Sequence, residues 1–180
     1  MQPAARVILI IGIPGAGKTT VARALAKRLP RAACIEGDLV QHHFTVTGLV
    51  PPGGEPAEES HRQLELRWRN VAALASNFAA AGFVAIVEHA ASTRFWIEYF
   101  RAHLSVRPVS LVVLAPPLSV ALTRDAARVE KQVAERFAYM DAELRGELSG
   151  LGYWLDTAEL SVEDTVDRLL AGGIDAGGLD

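Results

Sequence analysis

Short runs of apolar residues alternate along the chain with longer segments in which apolar residues recur at helical spacing. The runs occupy residues 7–11, 32–35, 83–87, 108–115 and 153–155. Unbroken apolar runs of this length are typical of strands that are covered on both faces of a parallel sheet. The periodic segments predict helices at 17–29, 62–81, 94–104, 118–148 and 161–171. This alternation predicts an α/β fold, with helices on both faces of a parallel sheet of about five strands.

Length and charge limit the number of domains and the kinds of partner. The chain has 180 residues, the size of one domain, which we expect to span residues 1–171. Residues 172–180 include four glycines and are expected to form a frayed tail. A formal net charge of −3 provides no positive field for nucleic acid or an anionic membrane. No apolar stretch is long enough to cross a membrane, so we expect a cytoplasmic protein without nucleic-acid or membrane partners.

One segment between the first predicted strand and helix has the composition of a phosphate-binding loop. It fits the pattern G-x-x-x-x-G-K-[ST] in full. The residues that we expect to bind the nucleotide are Gly12, Ile13, Pro14, Gly15, Ala16, Gly17, Lys18, Thr19 and Thr20. In such a loop glycines let backbone N–H groups point at phosphates, and the positive end of the following helix adds to the attraction. The alternative is a glycine turn that merely precedes a helix, and the complete motif in its strand-to-helix context argues against it.

Two side chains of this loop have the chemistry that phosphoryl transfer needs. Lys18 is expected to place its ammonium group at the β- and γ-phosphates of a nucleotide and so to take part in catalysis. Thr19 is expected to give its hydroxyl to Mg²⁺, which bridges the same phosphates. The motif therefore predicts a site for a nucleoside triphosphate with Mg²⁺.

Three carboxylates follow predicted strands at the edge of the sheet where ligands bind. Asp38 comes after the second strand, near the phosphate loop. It is a candidate to accept the proton of an attacking hydroxyl or to orient that hydroxyl; the alternative is an N-terminal cap of the following helix. Glu36 is a weaker candidate for the same role. Glu88 ends the third apolar run and is a candidate ligand of Mg²⁺ or its water shell, or else a substrate-orienting group or a solvated strand end.

Basic residues recur on the helix predicted at 118–148. Arg124 and Arg128 stand four apart, so they share one face of an unbroken helix, and Lys131 lies on the same face. We predict a short helical lid whose two arginines bind the nucleotide and act in catalysis by closing over the γ-phosphate. The alternative is an exposed helix with ion pairs, because acidic residues in the same segment nearly balance the cations.

Together these residues resemble the small P-loop kinases. The phosphate loop, Glu36-Gly37-Asp38, Glu88 and the segment 124–128 look most like the chloramphenicol phosphotransferase-like group. The gluconate kinase and shikimate kinase groups are more distant relatives by this resemblance. It implies a P-loop NTPase three-layer sandwich with strand order 2-3-1-4-5, a substrate region after the second strand and an arginine-bearing lid after the fourth. It also implies that Asp38 stands where the family has its substrate-orienting or base carboxylate.

The resemblance also bears on the choice of nucleotide and acceptor. The residues after Asp38 lack the pattern expected of gluconate kinases, and no guanine-reading N-K-x-D element occurs, which favours ATP over GTP. Segment 156–158 matches the position where related kinases hold adenine. We expect an ATP- and Mg²⁺-dependent kinase that phosphorylates a hydroxyl of an antibiotic, a sugar acid or a nucleoside-like metabolite. The alternative is a nucleotide-dependent regulatory ATPase or binding module, and the sequence leaves the oligomeric state open.

Overall fold

The computed structural model describes residues 7–127 and 133–179. Within these residues five parallel strands form one sheet in the order β2-β3-β1-β4-β5. The strands are β1 (Val7–Ile11), β2 (Ala32–Glu36), β3 (Val84–His89), β4 (Val109–Leu114) and β5 (Tyr153–Leu155). The parallel sheet and the strand order 2-3-1-4-5 expected from the sequence are confirmed.

Helices connect the strands and surround the sheet. They are α1 (Lys18–Arg28), α2 (Gly37–His42), α3 (Ala57–Ala80), α4 (Arg94–His103), α5 (Leu118–Ala126), α6 (Tyr139–Glu147), α7 (Val162–Arg168) and α8 (Ile174–Ala176), with a wider helical turn at Leu169–Gly173 between the last two. Ser161 begins α7 with a capping box, since its hydroxyl accepts from Asp164 N and the Asp164 carboxylate accepts from Ser161 N. None of these helices is long and apolar enough to cross a bilayer.

The three central strands owe their mainly apolar composition to their place in the sheet. Every residue of β1, β3 and β4 is buried, because each strand has a neighbour on both sides and helices over both faces. Parallel pairing aligns their carboxyl ends, and Ile10 of β1 stands opposite Glu88 of β3. The loop that follows β1 and the acid near the end of β3 are therefore brought to the same edge of the sheet.

The helix predicted at 118–148 is wrong in extent. Helix α5 ends at Ala126 and α6 begins at Tyr139. The buried Asp125 carboxylate accepts hydrogen bonds from Val133 N at 2.6 Å and Ala134 N at 2.7 Å, so the returning chain is tied to the last turn of α5. In a continuous helix the N–H groups of Val133 and Ala134 would bond to backbone carbonyls of the preceding turn. Here the Asp125 carboxylate accepts both hydrogen bonds instead.

Residues 172–179 are packed, in contrast to the frayed tail expected for segment 172–180 from its glycines. Strand β5 pairs only with residues 112–114 of β4, which leaves the first half of β4 without a strand on that side. The tail supplies the missing partners: Leu111 N donates to Gly177 O at 2.8 Å, and Leu179 N donates to Val109 O at 3.0 Å. Ile174 is buried as well. The tail therefore completes the sheet at this point.

Candidate active site

The phosphate loop lies between β1 and α1 and is packed tightly against α5. Gly15 has φ 83°, in the left-handed region, and a Cβ atom there would collide with the carbonyl oxygen of Ala121. Any side chain at this position would be strained and would also push α5 away. Both the left-handed backbone conformation and the contact with Ala121 therefore require glycine at position 15.

The positive end of α1 faces this loop. Gly17 caps the helix, and the first turn contains no acidic residue to offset the helix dipole. The Lys18 ammonium group donates to Ile13 O at 3.1 Å, so the lysine side chain folds back along the loop. Thr20 is exposed on the same first turn. The end of α1 has the charge distribution that binds a phosphate group.

Glu88 lies beside this end of α1. It is buried near the end of β3, and burial raises the pKa of its carboxyl above the usual value. The Lys18 ammonium and a hydrogen bond from the Thr19 side chain lower that pKa in turn. The structure therefore brings together Lys18, Thr19 and Glu88, three residues that the sequence singled out separately.

This arrangement fits the triphosphate and Mg²⁺ expected from the sequence. A cavity of about 420 Å³ is lined by Gly17, Lys18, Thr19, Asp38 and Glu88, among others. We call it the phosphate cavity. Mg²⁺ prefers oxygen ligands such as the Thr19 hydroxyl and the Glu88 carboxylate, and Lys18 provides positive charge for the phosphates. The donor set of the cavity is compatible with a nucleotide bound with Mg²⁺.

Asp38 lies in the first turn of α2, but it does not cap that helix. The capping position is Glu36, whose side chain makes no capping hydrogen bond. The alternative interpretation of Asp38 as an N-terminal cap is therefore wrong. Instead its carboxylate accepts a hydrogen bond from Arg67 Nη1 of α3 at 2.9 Å. Arg67 is 4% exposed and Asp38 is 47% exposed, so a buried cation holds a carboxylate that remains accessible to a ligand.

Arg67 is the residue of this site that sequence reasoning missed. It lies three residues after Leu64 and four before Val71, so it sits on the apolar stripe of α3. A charged residue at a core position was the available signal, because buried charges in proteins are almost always paired. Burial lowers the pKa of Arg67, whereas Asp38 and Glu88 act in the opposite direction. Arg67 is thus a buried cation near two carboxylates of the site.

His89 and Trp68 are buried next to the Asp38–Arg67 pair. The two rings stack with centroids 3.9 Å apart, and His89 Nδ1 is 2.8 Å from Ala90 O. The His89 ring also lies against Gly37, where any Cβ atom would collide with it. Burial and the nearby Arg67 hold the pKa of His89 well below its usual value, so the ring is neutral. This packing joins α2, α3 and β3 directly behind Asp38.

A second cavity opens beside the phosphate cavity. It has a volume of about 360 Å³ and is lined mainly by residues of α3, segment 90–93 after β3, α6 and the chain preceding α6, with Trp96 from α4. We call it the acceptor cavity. Among the described residues, five line both cavities: Pro14, Asp38, His42, Ala90 and Val133. Asp38 therefore lies at the boundary where a group in one cavity meets a group in the other.

Arg124 is directed at the segment that the sequence predicts to hold adenine. Its Nη2 atom donates to Thr157 O at 2.7 Å and to Ala158 O at 3.2 Å, and Nη1 donates to Thr157 Oγ1 at 3.3 Å. Helix α5 ends at Ala126, so Arg124 is the one described member of the predicted face formed by Arg124, Arg128 and Lys131. Arg128 and Lys131 lie outside the described residues. The catalytic lid role of Arg124 and Arg128 stays a prediction.

Arg124→Ala distinguishes the two possible roles of this arginine. Because Arg124 bonds to segment 157–158, we expect its loss to raise KM for ATP about threefold to tenfold, with kcat changed less than twofold. Arg168→Ala, an exposed arginine at the end of α7, is the control and should leave both constants unchanged. Steady-state kinetics at varied ATP measures the effect. A fall in kcat of tenfold or more at unchanged KM would instead support the lid interpretation.

Arg67→Met tests whether the buried cation positions Asp38. We expect kcat to fall at least about tenfold while KM for ATP stays within about twofold, because a carboxylate displaced by about 1 Å loses much of its effect. Because Asp38 is about half exposed, its charge stays solvated after the loss of Arg67, and an apolar side chain of similar size should cost little stability. Arg67→Lys should recover part of kcat, and Arg69→Met on the exposed face of α3 is the matched control. An unchanged kcat in Arg67→Met would leave Arg67 with a packing role only.

Comparison with known proteins places the chain in a family. A family model described as an AAA domain matches residues 7–146, which is more than half of the chain. The chain therefore belongs to this family of P-loop domains. No curated protein matches the sequence at a significant level.

Similar solved structures are small P-loop proteins that match over nearly their whole length. A sugar kinase from Janibacter sp. HTCC2649, solved unliganded, is 23% identical with a TM-score of 0.70, over 95% of each chain. The tunicamycin resistance protein of Deinococcus radiodurans is 24% identical with a TM-score of 0.66, over 95% of each chain. A gluconokinase from Sinorhizobium meliloti 1021 is 20% identical with a TM-score of 0.64, over 95% of this chain and 93% of the other. The TM-scores over these coverages establish a kinase-like P-loop fold, and the resemblance seen in the sequence is confirmed at that level.

Proposed function

We propose that this protein is a kinase that transfers the γ-phosphoryl group of ATP to a hydroxyl of a small molecule. The observation that carries the proposal is the position of Asp38, which lines both the phosphate cavity and the acceptor cavity. A carboxylate at this boundary can contact an acceptor hydroxyl while Lys18 and Thr19 contact the phosphates. A regulatory ATPase has no need of a second cavity that meets the first at a carboxylate.

In the proposed reaction the acceptor oxygen forms a bond to the γ-phosphorus as the bond from that phosphorus to the bridging oxygen of ADP breaks. The hydroxyl proton passes to Asp38, which is held in place by Arg67. Lys18 and the helix end of α1 balance the charge of the phosphate oxygens. Mg²⁺, when held by Thr19 and Glu88, supplies further charge neutralisation. The loose transition state of phosphoryl transfer depends mainly on positioning, which the rigid packing behind Asp38 provides.

Similar proteins support the kinase assignment over hydrolysis alone. The names of the Janibacter and Sinorhizobium structures describe a sugar kinase and a gluconokinase. The absence of N-K-x-D from the sequence favours ATP as the donor. A cytoplasmic location, where ATP and Mg²⁺ are abundant, suits this activity.

Transfer of labelled phosphate tests the proposal. Purified protein is incubated with γ-³²P-ATP, Mg²⁺ and a panel of hydroxylated antibiotics, nucleosides, sugars and sugar acids, with Lys18→Ala as background. We expect at least one acceptor to become labelled in step with ADP release, and chelation of Mg²⁺ with EDTA to abolish the labelling. Release of ADP with free phosphate, at a rate that no acceptor changes, would favour the regulatory ATPase instead.

A further inference from the structure

The walls of the acceptor cavity are largely apolar and aromatic. The side chains that form them include Leu64, Trp68, Trp96, Phe137, Tyr139 and Met140. Pro51 and Pro52 from the loop before α3 add to this surface. Pockets for small molecules that are lined in this way bind chiefly through burial of apolar surface, with a few polar groups that set orientation.

Trp96 is held as a fixed, partly exposed platform in this wall. Its ring is nearly parallel to that of the buried Trp68, with centroids 6.0 Å apart and 11° between the planes. Phe95 meets it edge-on at 4.9 Å, Tyr99 meets it edge-on at 5.8 Å, and the ring of His61 lies 5.5 Å away. The neighbouring rings restrict rotation of the Trp96 side chain, which remains partly exposed in the cavity wall. A ligand that packs on the Trp96 ring therefore costs little side-chain entropy.

The charged side chains described in this cavity already contact protein groups. Arg67 bonds to Asp38, and Arg136 Nη2 donates to Gly53 O at 3.2 Å with its guanidinium 5.3 Å from the Phe137 ring centroid. Glu143 accepts from the Ser92 hydroxyl at 2.8 Å. A wholly polar sugar acid bound here would place many of its hydroxyls against apolar walls, and unpaired buried polar groups weaken binding strongly.

We infer that the acceptor carries a planar apolar group, such as an aryl ring or a nucleobase, which packs on Trp96 while a hydroxyl elsewhere in the molecule reaches Asp38. The inference rests on the proposed function for the transfer step, but the binding preference is measurable without any transfer. The volume of about 360 Å³ leaves room for such a group beside the hydroxyl-bearing part. Sugar acids such as gluconate and shikimate should therefore bind less tightly than acceptors that carry such a group.

Matched ligand pairs test the inference. With the nucleotide site filled by the non-hydrolysable analogue AMPPNP and Mg²⁺, calorimetry compares phenyl with methyl β-D-glucoside and uridine with ribose. Each pair keeps a sugar and differs by one planar group. In at least one pair we expect the planar member to bind about tenfold more tightly or better, and more tightly than gluconate or shikimate. Trp96→Ala should reduce that ratio below about threefold, Trp96→Phe should keep most of it, and AMPPNP affinity should not change.

Phe78→Ala, an exposed aromatic residue of α3 outside the acceptor cavity, is the control and should leave the ratio unchanged. Equal binding within both pairs, tighter binding of gluconate or shikimate, no detectable binding of any planar probe, or an undiminished ratio in Trp96→Ala would each overturn the inference. Phosphate transfer is assayed separately with the same probes and with the wider panel. Planar-selective binding with no transfer to any acceptor would contradict the proposed kinase activity while leaving the binding preference intact.

Discussion

Lys18→Ala is expected to lower kcat/KM for phosphoryl transfer by at least about a hundredfold, because one preorganised positive donor at the developing charge is worth that much or more. The Lys18 ammonium lies across the phosphate loop, 3.1 Å from Ile13 O, where a bound phosphate would meet it. Lys18 also lowers the pKa of the buried Glu88 carboxyl. Its loss should raise that pKa further, so the variant should need more Mg²⁺ as the pH falls.

The fold should survive this change, because a hydrogen bond such as that from Lys18 to Ile13 O contributes only about 1 kcal/mol. Transfer rates measure the loss of activity, and Mg²⁺ titrations at two pH values measure the change in Mg²⁺ requirement. Thermal unfolding measures the stability of the fold. Lys27→Ala, in the exposed last turn of the same helix, is the matched control and should behave like the parent. If Lys18→Ala bound Mg·ATP and turned over at the parental rate, the phosphate-loop assignment would be wrong.

Asp38→Asn is expected to lose at least about a hundredfold in phosphoryl transfer while keeping nucleotide affinity within about threefold. Proton acceptance by a positioned carboxylate contributes about 10²–10⁴ in rate, and an amide has no comparable basicity. Asp38 lines both cavities, and an amide of the same size keeps its packing beside a bound nucleotide. Transfer to a verified acceptor and equilibrium binding of AMPPNP measure the two quantities.

Arg67 complicates the test, because Asp38→Asn leaves a buried guanidinium without its carboxylate and so lowers stability. The double variant Asp38→Asn/Arg67→Met removes the unpaired charge. It should recover much of the unfolding midpoint without recovering transfer. Asp167→Asn, whose carboxylate makes an exposed ion pair with Arg28 at 3.0 Å, is the control for removing an aspartate charge. Near-parental transfer in Asp38→Asn would reduce Asp38 to a structural partner of Arg67 and direct attention to Glu36 and Glu88.

The sequence was sufficient to predict those features of the structure that depend on residues close together in the chain. The phosphate loop is a contiguous motif whose residues meet the ligand as neighbours in sequence, so its position between β1 and α1 followed from the residues alone. Buried strands such as Val109–Leu114 are unbroken apolar runs, and their alternation with helices restricts the topology to a few possibilities. The resemblance to small P-loop kinases then selected the strand order that the structure has.

Tertiary structure decided the features that join distant parts of the chain. Asp38 and Arg67 are 29 positions apart, and Arg124 is 33 positions from Thr157. The pairing of the tail with β4 depends on the shortness of β5, which composition does not reveal. The sequence by itself determined the phosphate loop and the α/β order, because these depend on local conformation and burial. Which cation holds Asp38, and which side chains line the acceptor cavity, depend on helix packing across long loops, which periodicity does not encode.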